Sequence, residues 1–314
     1  MSRGYDSYDL DDFGRFAPER SREKAPRREY PEEREQKRGE GGAPNSEEPR
    51  EQPPFSPAGD LRDETRNVYR DREYTYSLRN SEIHTLIEAG KFRVVDTDDL
   101  ARFAFAGNRE RMNNDIRNLV RQGLAEQRNT SPFKKESRQV LTLTKQGHRF
   151  IRKQGFLPKD QTIYHGFVKP KESNHDADLY RLYQKVAKDI ERKDGHVLRV
   201  ELDYELKEKL YRKLGEAQAR NEARIDLQKQ TLARELELPV VESKITLPDM
   251  RIEYETREGE RVRVDVELAT SHYHGNHLTE KARAGFQIYA RSQDADRLRR
   301  IRDEREITTA ILSF

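Results

Sequence analysis

Three acidic side chains in the C-terminal third are spaced for phosphodiester chemistry. Pro248-Asp249 opens an alternating run, Met250–Glu255, and Asp265-Val266-Glu267 lies in the next run, Val262–Leu268. Side chains at i and i+2 of a strand share a face, so Asp265 and Glu267 project together. Asp249 can meet them across a hairpin whose turn carries Gly259. Carboxylates converging from adjacent strands are the oxygen ligands that Mg²⁺ or Mn²⁺ takes, and such an ion activates water and stabilises a leaving oxygen. Lys281, in the element that follows, would bring positive charge to the phosphorane. On this reading Asp249, Asp265, Glu267 and Lys281 are the candidate catalytic residues of a Mg-dependent DNA endonuclease or nickase. The three acids would be its metal ligands. The plainer alternative is a solvated strand face.

A second chemistry is written in His272-Tyr273-His274. With His277 as a third ligand and Tyr289 as nucleophile, the triplet fits a nicking enzyme that holds one metal between alternate imidazoles. Against it, Ser271 and Gly275-Asn276 place the triplet in a loop. Tyr289 also falls in helical register with Leu278, Ala282 and Phe286, on the side expected to be buried.

The third group is basic. Between Asn108, a capping residue, and Gly123 the chain reads as a helix. Met112, Ile116, Leu119 and Val120 form its apolar stripe. Arg111, Asn114, Asn118 and Arg121 lie opposite, with Arg117 beside them, and Glu110 and Asp115 fall away from the centre of that face. Arg and Asn are the side chains that pair bidentately with guanine and adenine edges in the major groove. The two runs that follow, Leu124–Arg128 and Arg138–Thr144, read as a β-hairpin, and Arg128, Lys134, Lys135 and Arg138 around its tip suit phosphate contacts. The alternative is a helix used for protein contacts.

The elements that position these groups follow from periodicity. A helix carrying Ile83, Leu86 and Ile87 ends at Gly90, and Asp96-Thr97 cap a second helix with Leu100, Phe103 and Ala104 inside. The basic helix, the hairpin and a short helix with Phe150 and Ile151 come next. Together these predict a winged helix-turn-helix over residues 76–155. A linker is expected over 156–175. Beyond it lie a helix over about 176–193, a strand His196–Leu202, charged helical sequence over Tyr204–Glu237, the hairpin bearing the acids, a helix His277–Arg291 and a strand Ile307–Leu312. This order predicts a small mixed α/β domain over 176–314.

Only 33% of the 314 residues are hydrophobic and 38% are charged, so part of the chain contributes little to a core. Arg, Glu, Pro and Gly dominate residues 1–75, which are expected to be a disordered charged tail, with a protein partner as one conceivable role. That segment holds about 15 basic and 19 acidic side chains, whereas residues 79–155 hold 16 against 9. A positive module between acidic or neutral neighbours points to a polyanion, here double-stranded DNA. There are no cysteines, which excludes disulfides and thiolate zinc sites. No apolar run approaches a membrane span, so a cytoplasmic protein with no membrane contact is expected.

The residues also resemble a family. Leu247-Pro248-Asp249, the strand Asp265-x-Glu267-Leu268-x-Thr270, Lys281, Tyr289 and the pair His175-Asp176 look like the plasmid replication-relaxation proteins. The resemblance covers roughly residues 78–314. It implies a winged helix ahead of a restriction-endonuclease-like, PD-(D/E)xK domain, and hence an α+β fold. It also implies a role in replication, mobilisation or regulation of a plasmid or other mobile element. One departure matters: where the nuclease pattern has a lysine two positions after the second acid, this chain has Ala269. Either Asp265 is the second acid and Glu267 takes the lysine position, or Lys281 replaces the lysine from the next element, or the fold persists without catalysis. A transcriptional repressor whose second domain dimerises is the remaining expectation.

Overall fold

The computed structural model describes residues 65–130, 137–167, 170–219 and 225–314 of a mixed α+β chain. Regular structure begins with a two-stranded antiparallel hairpin, β1 (Asn67–Asp71) and β2 (Tyr74–Leu78). These residues fall within the stretch whose composition predicts a tail to residue 75, and the reason is aromatic. Tyr69 and Tyr76 turn inward and set their rings edge-on to Phe150, at 5.7 and 5.1 Å. The rest of the expected tail, up to residue 64, lies outside the described residues.

Next come α1 (Asn80–Phe92), β3 (Val95–Asp96), α2 (Thr97–Ala104), α3 (Arg109–Arg121), β4 (Ala125–Asn129), β5 (Gln139–Leu143) and α4 (Lys145–Gln154). Asp96 and Asn108 cap their helices as expected, accepting from the Asp98 and Arg111 amides, and Thr144 caps α4 by accepting from that of Gly147. β5 lies between β3 and β4, antiparallel to both. Gly147 is required where α4 crosses the start of β4, because a Cβ there would stand 2.0 Å from the Leu124 carbonyl oxygen.

Described residues of the expected linker instead join the core. Ile163 is buried, the Tyr164 amide donates to the Gly90 carbonyl and the Gly166 amide to that of Leu143. The helix α5 already begins at Pro170 and runs to Glu191. It packs against the first half through Phe92, whose ring lies 5.3 Å from Tyr180 and 4.9 Å from Tyr183. Arg181 also clamps Asp99, at 2.8 and 3.0 Å. One hydrophobic cluster therefore runs from Tyr76 through Tyr180 to Tyr289.

The remaining elements are β6 (His196–Leu202), α6 (Asp203–Ala219), α7 (Ile225–Glu235), β7 (Val240–Val241), β8 (Lys244–Ile245), β9 (Met250–Glu255), β10 (Arg261–Ala269), α8 (Gly275–Arg283), β11 (Gln287–Ala290), α9 (Ser292–Glu304) and β12 (Ile311–Ser313). Their main sheet has the order β12-β11-β10-β9-β6, antiparallel from β6 to β10 and parallel from β10 to β12. The helix expected over 277–291 stops at Arg283. Gly285, at φ 83°, turns the chain, and Tyr289 sits on a strand. The expected strand over 307–312 shrinks to β12, behind the unforeseen α9. Among the described residues no helix is long and apolar enough to cross a membrane.

Candidate nucleic-acid interface and acidic cluster

α3 is amphipathic because Met112, Ile116 and Leu119 recur at helical spacing, and all three are buried. Val120, expected in that stripe, is 42% exposed. The solvent side carries Asn113, Asn114, Arg117 and Arg121. Arg117 bonds within the helix, to the Asn113 carbonyl at 3.2 Å and to the Asn114 side chain. Arg111 is half-buried and lines a concavity of about 230 Å³ with Arg79, Asn108, Glu110 and Asn114.

Two residues expected to touch DNA are engaged elsewhere. Asn118 turns toward α1 and β2, donating to Glu82 at 2.8 Å and to the Ser77 carbonyl at 3.4 Å. Arg138 is held by Asp178 of α5 at 2.8 Å, with Asp96 at 3.6 Å. It ties β5 to α5 and does not present a free cation. Arg128 remains exposed, its guanidinium 3.6 Å from the centre of the Phe167 ring. Lys134 and Lys135 lie outside the described residues. Asn113 is absent from the sequence reading because at about 100° per residue it falls beside Val120, which was assigned to the apolar stripe but is exposed.

The acids separate into two groups. Val266 pairs with Met250 and Asp265 with Arg251, so Asp249 comes beside Glu267 at the entry to β9. The Asp249 amide donates to Glu267 Oε2 at 3.2 Å, and the Leu268 amide donates to Asp249 Oδ2 at 2.8 Å. Lys281 Nζ lies 2.9 Å from Glu267 Oε1 and donates to the Leu247 carbonyl at 2.8 Å. The Tyr273 hydroxyl donates to the same Oε1. His175 of α5 stands 3.5 Å from Asp249 Oδ1. Asp249, Glu267 and Lys281 thus lie together, with His175 and Tyr273 beside them.

Asp265 does not join them. Both of its oxygens take the Arg251 guanidinium, at 2.7 and 2.8 Å, and Arg251 also donates to the Leu236 and Glu237 carbonyls. The reason is register: Asp265 sits directly across from Arg251 on the face it shares with Glu267, and the nearest buried cation takes it.

The cluster is electrostatically tight. Burial together with the Asp249 charge pushes the Glu267 carboxyl up to about 7, against the pull of Lys281 and Tyr273. Burial would depress His175, but Asp249 outweighs it and raises the imidazole to about 9. Burial would raise Asp249, but the charges of His175 and Lys281 and the hydrogen bonds from His175 and the Leu268 amide together hold it below the usual carboxylate range. Asp176 next door is raised to about 7 by burial, while the Tyr204 hydroxyl donates to it at 3.0 Å.

These residues do not fit a divalent ion. Each carboxylate oxygen of Asp249 and Glu267 already faces a protein donor, and Lys281 stands where a cation would have to approach Glu267. Among the described residues no group of three His, Cys, Asp or Glu gathers to hold a metal. His272, His274 and His277 share this outcome, with the rings of His274 and His277 centred 6.1 Å apart. Tyr289 is 4% exposed and its hydroxyl is 3.3 Å from the Gln287 side chain, so it is a core tyrosine and not a presented nucleophile. The chain matches no protein-family model, no curated protein and no solved structure.

Proposed function

We propose that the chain binds double-stranded DNA through the solvent face of α3. The observation that carries the reading is the placement of Asn113, Asn114, Arg117 and Arg121 on the exposed side of a helix whose other side is core. Three helices, a β3–β4–β5 sheet and a closing helix are the parts of a winged helix-turn-helix, a fold that lays its third helix in the major groove. Arg128 beside the hairpin suits a phosphate contact. The role in plasmid or mobile-element replication, mobilisation or regulation rests on the motif resemblance. The second half is read as a nuclease-like frame that carries Asp249 and Glu267 in neighbouring strands. Strand cleavage is not part of the reading, because Lys281 and the backbone amides already engage those carboxylates.

The test is fluorescence anisotropy on a labelled duplex across a salt titration. Arg117→Gln and Arg121→Gln should each flatten the plot of log affinity against log salt by about one unit. Where either arginine reads a base edge, binding to a selected site should weaken by about 1–3 kcal/mol. Unchanged slopes and affinities would refute α3 as the contacting helix.

A further inference from the structure

We infer that the β1–β2 hairpin belongs to the same DNA interface and contacts the phosphate backbone through Arg70 and Arg72. The inference rests on the DNA-binding reading above and extends it to residues that composition assigns to the tail.

The hairpin has two faces because its residues alternate. Tyr69 and Tyr76 point inward, onto Phe150 and, for Tyr69, also Phe156 at 5.8 Å. Val68, Arg70, Thr75 and Ser77 point outward, on the rungs Val68–Ser77 and Arg70–Thr75. The outer end abuts α3. The Ser77 amide donates to the Gln122 side chain at 3.0 Å, and its carbonyl accepts from Gln122 at 3.2 Å and Asn118 at 3.4 Å. Those contacts fall on the last turn of α3, where Arg121 is exposed. Arg70 lies two residues further along, roughly 7 Å at the usual rise of a strand, within reach of an arginine side chain.

Charge points the same way. Residues 66–78 and α4, which pack together, hold seven basic side chains against Asp71 and Glu73. Asp71 is buried and taken by Arg149 and Lys153, each at 3.0 Å, so its charge is met inside the protein. Glu73 is then the one acid of that set on the surface. Arg70 and Arg72 are exposed, and the Tyr74 ring at the tip is half-exposed and stacked on Tyr76. A lone two-stranded hairpin is marginal in water. Anchored by its aromatic face, this one offers its arginines from a backbone that is already ordered, so only their side chains lose freedom on binding. A duplex is the polyanion that spans both this surface and the α3 face.

The experiment uses the full chain and a labelled 30-base-pair duplex of arbitrary sequence. Arg70→Gln/Arg72→Gln should flatten the salt plot by about two units, near 0.9 for each phosphate contact. The wild-type advantage should then shrink about twelvefold between 50 and 200 mM salt. Arg72 sits at φ 55°, and glutamine inherits that strain unchanged, so the melting temperature should hold. Arg70→Lys/Arg72→Lys should keep the wild-type slope. Loss of slope in the lysine pair as well would make the effect structural and overturn the inference. An unchanged slope in the glutamine pair, with loss in Arg117→Gln/Arg121→Gln, overturns the hairpin contact and leaves the α3 reading standing. No change in either pair overturns both.

Discussion

Lys281→Met removes the ammonium that faces Glu267, a carboxylate only 1% exposed. Breaking a buried pair from one side costs about 3–5 kcal/mol, because the remaining charge stays desolvated. For a described fold of this size that corresponds to a melting-temperature drop of roughly 10 °C. The loss should depend on pH, since Glu267 has an escape by taking up a proton. In the wild type its folded value of about 7 already lies above the ordinary ~4.3. A carboxyl raised in the fold binds more protons folded than unfolded within that window, so its contribution to stability falls as pH rises. Without Lys281 the folded value climbs further, and each added unit removes about 1.4 kcal/mol above it. Urea melts should therefore show a small loss at pH 5.5 and a large one at pH 8. Lys281→Met/Glu267→Gln removes both charges and should recover most of the stability at pH 8. An equal loss at both pH values, or a double variant no better than the single, would refute this account of the cluster.

Two further outcomes follow from contacts already described. Millimolar Mn²⁺ should leave the wild-type melting temperature unchanged, since Asp265 is bound by Arg251 and the oxygens of Asp249 and Glu267 already face donors; a rise abolished by Asp249→Asn would show that a metal site forms after all. Tyr76→Ala should destabilise by about 3 kcal/mol in a denaturant melt, because it opens a cavity against Phe150, and a neutral result would mean the hairpin is not anchored as described.

Local patterns survived where one periodicity had no rival. β6 runs from His196 to Leu202 as its alternation predicts, and α3 starts at its Asn108 cap. The helix expected over 277–291 failed because Leu278, Ala282, Phe286 and Tyr289 mimic a helical stripe across a real break. Gly285 was the sign of that break, and a glycine inside a helical pattern is easily tolerated on paper. β1 and β2 were hidden by the charged composition on their N-terminal side, although Tyr74-Thr75-Tyr76-Ser77-Leu78 alternates. At the sites, pairing in space decided what spacing could not. Asp265 and Glu267 share a face by spacing, yet the register sets Arg251 against one, and Lys281 meets the other. Nothing near Arg138 in the chain announces that Asp178, forty residues on, will hold it. Asn118 was likewise claimed by Glu82 and Ser77, from elements outside its own helix.

The aromatic seam between α1 and α5 has a consequence for anyone who would borrow the basic half. Phe92 ends the first helix of that half, but its ring partners, Tyr180 and Tyr183, are supplied by the second. Glu88 is shared in the same way, between Lys91 and Gln184. A fragment cut at residue 155 would lay Phe92 bare and leave Glu88 and Asp99 without the partners that α5 provides. The α3 surface is therefore not a portable cassette: transplanted alone into a fusion protein it would carry a sticky wound, and grafting has to take α5 along with it.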